Sequence, residues 1–302
     1  MLVIDTDPGL DDAHALAIAT ELVNPEDLVV TTVAGNLGID TVTANACWLM
    51  SEFAPQVPVF RGAACPLVGK PVEAAHIHGN NGLGGYPRPD VQIDVPDTPA
   101  AVKIIELAHQ HPGELEIVAL GPLTNLALAL GLEPGLPDLV SRLTIMGGSP
   151  AQHGNASLNA EFNIFVDPAA AETVFARMHG ISVITWDLCL RYHFTRAEFD
   201  GFWSGDSRQA GVLRAISEHQ AANDPAYTER DYFGRADPLA MAVALRPEIV
   251  SGATSHRIQV VHDGGLAHGV TVVDERDATG DRSPSRIIDD FDRPALVETL
   301  TV

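Results

Sequence analysis

Four carboxylates fall within eight residues near the start of the chain, in Asp5-Thr6-Asp7-Pro8-Gly9-Leu10-Asp11-Asp12. Carboxylates this dense repel one another, and a fold tolerates them only with a counter-charge. No Lys or Arg lies close in sequence, so a hard divalent cation with oxygen ligands, Ca²⁺ or Mg²⁺, is the natural neutraliser. A solvated turn with Asp11 capping the next helix would use one carboxylate, not four. Asp5 is assigned to scaffolding, with strand alternation pointing it away from Asp7. A second constellation is Asn155-Ala156-Ser157-Leu158-Asn159-Ala160-Glu161-Phe162-Asn163, where Asn155, Glu161 and Asn163 offer several hydrogen-bonding groups to a polyhydroxylated ligand such as a sugar. A third is Asp237-Pro238, an acid entering the helix-like run 239–244, which by itself would be an N-cap.

These residues need a scaffold that brings distant segments together. Short apolar, β-branched runs at 2–6, 28–34, 57–60, 115–120, 143–146 and 181–186 suit strands buried on both faces. Helical patterns lie between them at 12–23, 40–53, 98–111 and 123–131. The alternation predicts an α/β fold: a single domain with a mostly parallel, doubly wound sheet over residues 1–302. In such a sheet ligands bind beyond the carboxyl ends of the strands. There the sequence places Asp7 to Asp12, Gly35-Asn36, Gly121 to Asn125, Met146-Gly147-Gly148 and Asp187. Residues 195–235, polar, aromatic and helix-like, are expected to form a helical cap over the site. Residues 257–275 read as a C-terminal β-hairpin at a sheet edge, turning through Gly264 to Gly269. The polar stretch 276–285 reads as a mobile loop.

Composition narrows the partners. Acidic residues number 40 against 18 Lys plus Arg, a formal net charge of −22. That charge argues against nucleic acid and anionic membrane, because no basic cluster offsets the repulsion. Three scattered cysteines, Cys47, Cys65 and Cys189, fit a reduced, intracellular setting. With no signal-like or membrane-spanning apolar segment, a cytoplasmic location is expected.

The segments 5–16 (DTDPGLDDAHAL), 34–36 (AGN), 78–85 (HGNNGLGG), 120–125 (LGPLTN), 146–148 (MGG), 155–171 (NASLNAEFNIFVDPAAA) and 236–240 (ADPLA) together resemble the inosine-uridine-preferring nucleoside hydrolase family. The resemblance runs over nearly the whole chain with the motif order preserved. It implies Ca²⁺-dependent hydrolysis of the N-glycosidic bond of ribonucleosides to ribose and free base. It implies Ca²⁺ held by Asp7, Asp12, Asp237 and the Leu120 carbonyl, with Asp7 as general base on a calcium-bound water. Ribose would be held by Asp11, Asn36, Asn155, Glu161 and Asn163, with Met146 lining the sugar pocket and His78 near the base or the 5′ side. A homodimer or homotetramer is implied as well.

One position departs from that pattern. Many pyrimidine-cleaving and broad-specificity members carry a histidine, the leaving-group acid, immediately before the last calcium aspartate, where this chain has Ala236. Trp186, Tyr227, Tyr232 and Phe233 are candidates for stacking on the base, and Arg230, Arg235 or Tyr227 for donating to it. The loss of that histidine also admits a nucleoside- or sugar-binding protein without turnover. A haloacid-dehalogenase-type phosphatase, with Asp5 as nucleophile, is a further alternative, though it gives no role to Asn155, Glu161 or Asn163.

Overall fold

The computed structural model describes the chain apart from residues 92–93, 225–226, 228, 230–231, 277 and 279 and the side chain of Tyr232. The base-side candidates Arg230 and the Tyr232 ring therefore lie outside the described residues. Strands run in the order β1 (Leu2–Thr6), β2 (Leu28–Thr32), β3 (Val59–Arg61), β4 (Leu115–Ala119), β5 (Val140–Met146), β6 (Ile181–Ile184), β7 (Phe194–Thr195), β8 (Tyr232–Phe233), β9 (Val250–Val260), β10 (Thr271–Asp274) and β11 (Ser285–Phe291). Helices are α1 (Leu10–Leu22), α2 (Ile39–Phe53), α3 (Ala75–His78), α4 (Ala100–Gln110), α5 (Thr124–Leu132), α6 (Leu136–Leu139), α7 (Phe162–Val166) and α8 (Pro168–Arg177). They continue with α9 (Trp186–Arg191), α10 (Arg196–Gly201), α11 (Arg208–Asn223), α12 (Ala236–Leu245) and α13 (Arg293–Leu300). No helix among the described residues is long and apolar enough to cross a membrane.

Among the described residues the main sheet has nine strands in the order β10-β9-β11-β6-β5-β4-β1-β2-β3. From β3 to β11 every pairing is parallel, and only β9 and β10 run against their neighbours. Alternate residues of one strand feed different cores. Leu2 and Ile4 join a cluster with the apolar faces of α1, α2 and α12, whereas Val3 packs with α4, α5 and α8. Helices therefore cover both faces, as the strand runs predicted, because a strand that is apolar on both sides must be buried on both sides. The strand order reverses between β1 and β4, so the loops leaving their carboxyl ends turn to opposite faces of the sheet and leave a crevice there.

Three expectations change in detail. The hairpin of β9 and β10 is at the sheet edge, but the unforeseen strand β11 separates it from β6. The described part of the 276–285 loop is tied down, because Arg282 forms an ion pair with Glu172 and also donates to the Ile258 carbonyl at 3.1 Å. Segment 195–235 carries α10 and α11 between the two short strands β7 and β8, which pair with each other. Its buried Phe199, Phe202, Trp203 and Phe233 belong to the same core cluster as the sheet, and α11 packs on α1 and α2.

Candidate active site

The acidic loop between β1 and α1 lies at the strand-order reversal. Asp7 follows β1 directly, Asp11 and Asp12 open α1, and Asp237 opens α12, which packs on α1. Carboxylate oxygens of Asp11, Asp12 and Asp237 all lie within 4.8 Å of one another. Asp7, Asp12 and Asp237 are buried, while Asp11 is only half-buried and keeps a path to solvent.

Hydrogen bonds fix most of these oxygens. Asp12 accepts from the Thr6 hydroxyl at 2.5 Å, the Gly9 N–H at 2.9 Å and the Asn36 amide at 3.2 Å. The Asn36 N–H donates to Asp7 Oδ2 at 2.6 Å, but Asp7 Oδ1 is buried without a hydrogen-bond partner. Gly35 and Gly121 press against that carboxylate, and a Cβ on Gly121 would stand 2.6 Å from Oδ1. Here glycine is required for close approach rather than for backbone freedom.

Burial raises the pKa of Asp7 well above the usual carboxylate range, and the charge of Asp12 adds to it. Asp237 is raised well above that range by burial and then by Asp11, Asp12 and Asp7. Asp12 is raised by burial and by Asp11, against the Thr6 and Gly9 donors. These shifts share a cause, carboxylates crowded into low dielectric, which the smaller opposing contribution of His78 at Asp12 does not offset.

Asp5 is scaffolding, but not because of alternation. Residues two apart share a strand face, and the chain leaves β1 only after Thr6. What sets Asp5 apart is its partners: its Oδ1 accepts from the Thr31 hydroxyl at 2.6 Å and the Asn125 amide at 2.8 Å. Held by those two donors, Asp5 is placed as a structural carboxylate and not as the phosphatase's nucleophile.

The sugar-side candidates divide. Asn163 donates to the Leu120 carbonyl at 2.6 Å and the Met146 carbonyl at 3.2 Å, linking the ends of β4 and β5. The second lone pair of the Leu120 oxygen stays available to a further partner. Glu161 is the N-cap of α7, accepting from the backbone of Asn163 at 2.8 Å, Gly148 at 3.0 Å and Ile164 at 3.1 Å. Asn155 is exposed, on the loop joining β5 to α7. His78, at the end of α3, accepts the Leu10 N–H on Nδ1 at 3.3 Å, and a Cβ on Gly9 would collide with its ring. That contact brings it to the first turn of α1, beside Asp11.

The base-side candidates mostly serve packing. Tyr227 is 3% exposed, its hydroxyl 2.8 Å from that of Ser217 and its ring under the Arg196 guanidinium. Phe233 stacks on Phe199 at 4.0 Å. Arg235 lies 4.4 Å over Phe199 and donates to the Leu10 carbonyl at 3.4 Å, tying the aromatic cluster to α1. Trp186, half-buried at the start of α9, gives its backbone N–H to the Gly148 carbonyl at 2.8 Å.

The family model described as inosine-uridine preferring nucleoside hydrolase matches residues 2–298. The chain belongs to that family. It is 37% identical over 276 residues to a non-specific ribonucleoside hydrolase RihC of Salmonella schwarzengrund, covering 90% of this chain and 87% of the relative. It is 36% identical over 274 residues to the RihC of an Escherichia coli strain, covering 90% and 88%. A plant nucleoside hydrolase, PpNRh1, superposes with a TM-score of 0.89 at 30% identity, covering 99% of this chain and 97% of that one. This chain is thus a nucleoside hydrolase with a mostly parallel α/β fold.

Within this nucleoside hydrolase, several supports escaped sequence reasoning. Asn125 gives its amide to Asp5 and accepts the Ala63 N–H at 2.9 Å. Asn45 donates to the Pro8 carbonyl at 2.9 Å, bracing the acidic loop from α2. Lone asparagines in helical runs carry no local signal, since only the fold supplies their partners. His14, inside the acidic motif, is no ligand. Burial, and after it the charge of Arg235, lowers its pKa to about 3, and its Nε2 lies 2.7 Å from the Leu300 carbonyl.

Proposed function

We propose that this nucleoside hydrolase cleaves the N-glycosidic bond of ribonucleosides to ribose and free base in a Ca²⁺-dependent reaction with Asp7 as general base. The observation that carries this reading is Asp7 Oδ1, a buried carboxylate oxygen with no donor, in the field of Asp12 and Asp11, which with Asp237 gather their carboxylates within 4.8 Å. An orphaned buried oxygen costs about 1–3 kcal/mol or more unless something outside the protein satisfies it. Asp12 and Asp237 lie in the carboxylate group that comes within 4.8 Å, together with Asp11, and Asp7 and the Leu120 carbonyl would complete with them an all-oxygen donor set of the kind Ca²⁺ takes. Bound Ca²⁺ would supply Lewis acidity and the charge that lets the crowded aspartates ionise together.

The chain's own groups would do the rest. Asp7 accepts the proton of the attacking water on Oδ1, while the Asn36 N–H holds Oδ2 and sets the carboxylate's direction. Asp11, the half-buried member of the cluster, takes sugar hydroxyls with Asn36, Asn155 and Asn163. Glu161 acts from behind, its negative charge favouring the oxocarbenium-like transition state of glycoside cleavage. Ala236 runs directly into Asp237, so no imidazole stands there to protonate the base. Among the described aromatic candidates, half-buried Trp186 keeps the freest ring for stacking on it.

Segment 195–235 is read as a cap over this site, supported by the approach of Gln220 in α11 to Gly84 in the loop after His78. A cytoplasmic homodimer or homotetramer completes the reading, and sedimentation of the purified chain checks its assembly.

The test is ribose release from a panel of purine and pyrimidine nucleosides after chelation and after adding back Ca²⁺ or Mg²⁺. Expected are activity restored by Ca²⁺ and a loss in Asp7→Asn of about 10²–10⁴-fold, the contribution of a general base. Nucleoside binding with no ribose release would favour the binding-protein alternative that Ala236 raises. Full activity in chelator would remove Ca²⁺ from the mechanism.

A further inference from the structure

Asn45 sits in the middle of α2 with no exposed surface, yet its side chain bonds to segments outside that helix. Its Nδ2 donates to the Pro8 carbonyl and to the Asn81 carbonyl, each at 2.9 Å. Its Oδ1 accepts the Arg88 Nε–H at 2.7 Å. Two carbonyls on one side and a guanidinium on the other fix which end of the amide is nitrogen and which is oxygen. Pro8 belongs to the acidic loop, directly after Asp7, whereas Asn81 and Arg88 belong to the segment that follows His78.

That segment is folded on itself as well as docked. The Asn81 Oδ1 accepts the N–H groups of Leu83 at 3.1 Å and Gly85 at 3.0 Å, and its Nδ2 donates to the Tyr86 carbonyl at 2.7 Å. The Gly84 N–H returns to the His78 carbonyl at 2.8 Å. Leu83 is fully buried, and the Tyr86 ring lies 5.6 Å from that of Trp48 in α2. At Gly82, where φ is +80°, a Cβ would stand 2.7 Å from Asn45 Nδ2 and 3.1 Å from the Pro8 carbonyl oxygen, so the joint leaves no room for a side chain. The stretch reaches the surround of the acidic cluster at two more points. The Leu10 N–H donates to His78, and the Ala74 N–H donates to the Asn36 carbonyl at 2.9 Å. Asn45 thus belongs to neither loop and binds both.

We propose that Asn45 is a positioning residue for nucleoside binding, locking the 78–86 loop onto the acidic loop so that His78 is in place before substrate arrives. The inference rests on the reading of this crevice as the nucleoside site, and it requires neither Asp7 as base nor the metal. Without the lock, the incoming nucleoside has to order the loop itself, and apparent affinity falls by the fraction of molecules in which the loop is docked. The chemical step, once the complex has formed, is left nearly unchanged, which separates this role from that of a group acting in the transition state.

The experiment is steady-state ribose release from inosine and uridine by wild type, Asn45→Ala, His78→Ala and the double variant. In Asn45→Ala, KM should rise about 10-fold, the worth of one to two neutral hydrogen bonds, with kcat within about threefold. In the His78→Ala background the same substitution should raise KM by no more than about twofold, because residues that act through one another are not additive. Asn81→Ala unties the loop from within and leaves α2 intact. It should repeat the Asn45→Ala pattern, and it carries the test if the buried variant does not fold. An unchanged KM in folded Asn45→Ala would overturn the inference. So would a loss confined to kcat, or KM effects of Asn45→Ala and His78→Ala that multiply. Full turnover in Asp7→Asn would instead sink the reading of Asp7 and leave the comparison of KM values standing. If nucleosides bind without turnover, calorimetric dissociation constants take the place of KM, and unchanged ratios refute the inference.

Discussion

Replacing Asp5 by Asn should make the protein more stable relative to wild type as pH rises, and the size follows from one buried carboxyl. Burial raises the Asp5 pKa from 3.8 to about 6, against the hydrogen bonds of Thr31 and Asn125, and no neighbouring charge contributes. Because the folded value lies above the unfolded one, the folded state holds this proton more tightly. Stability is unaffected below pH 3.8, falls as pH rises between the two values, and carries the full loss above pH 6. At about 1.36 kcal/mol per unit that loss is roughly 3 kcal/mol, of which about 1.4 falls between pH 5 and pH 8. Asn keeps an acceptor for Thr31 and Asn125 and places an NH₂ where Oδ2 already lacks a partner. That NH₂ costs about 1–3 kcal/mol at every pH, so the pH trend, rather than the absolute difference, carries the information. Urea unfolding of both proteins in chelator at pH 5, 6.5 and 8 should show the difference moving about 1.4 kcal/mol in the variant's favour. A difference constant across that range would refute the assignment of a raised pKa to Asp5.

Two further outcomes test the site and its surroundings. Gly121→Ala puts a methyl group 2.6 Å from Asp7 Oδ1 and 2.9 Å from Val33 Cγ1. Ribose release should then drop about 10- to 100-fold, as for displacements of up to 1 Å, with far-ultraviolet circular dichroism unchanged. Tyr227→Phe removes only the hydroxyl paired with Ser217. It should cost about 1 kcal/mol in denaturant unfolding and leave kcat within twofold, whereas a large fall in kcat would return Tyr227 to the base.

The amino-acid order alone determines the scaffold and the inventory of chemistry. Apolar runs of four to seven residues between helical patterns can be satisfied only by a sheet covered on both faces, and β1 with its Leu2, Val3 and Ile4 is built that way. Four acids in eight residues without a nearby cation announce a charge problem that no local structure resolves. Local signals failed where partners are remote. The strand β11 and the tethered Arg282 escaped notice because their partners are some thirty to over a hundred positions away. The same distance hid the ties of Asn45 to Pro8 and Asn81, 37 and 36 positions away. Only the tertiary structure decided which acids are buried, which oxygen is left without a donor, and that Tyr227 and Phe233 pack together in one aromatic cluster. Burial, field and hydrogen-bond completion depend on what the rest of the chain brings alongside a residue. The acidic cluster was therefore legible at once, while the division of labour within it had to wait for the fold.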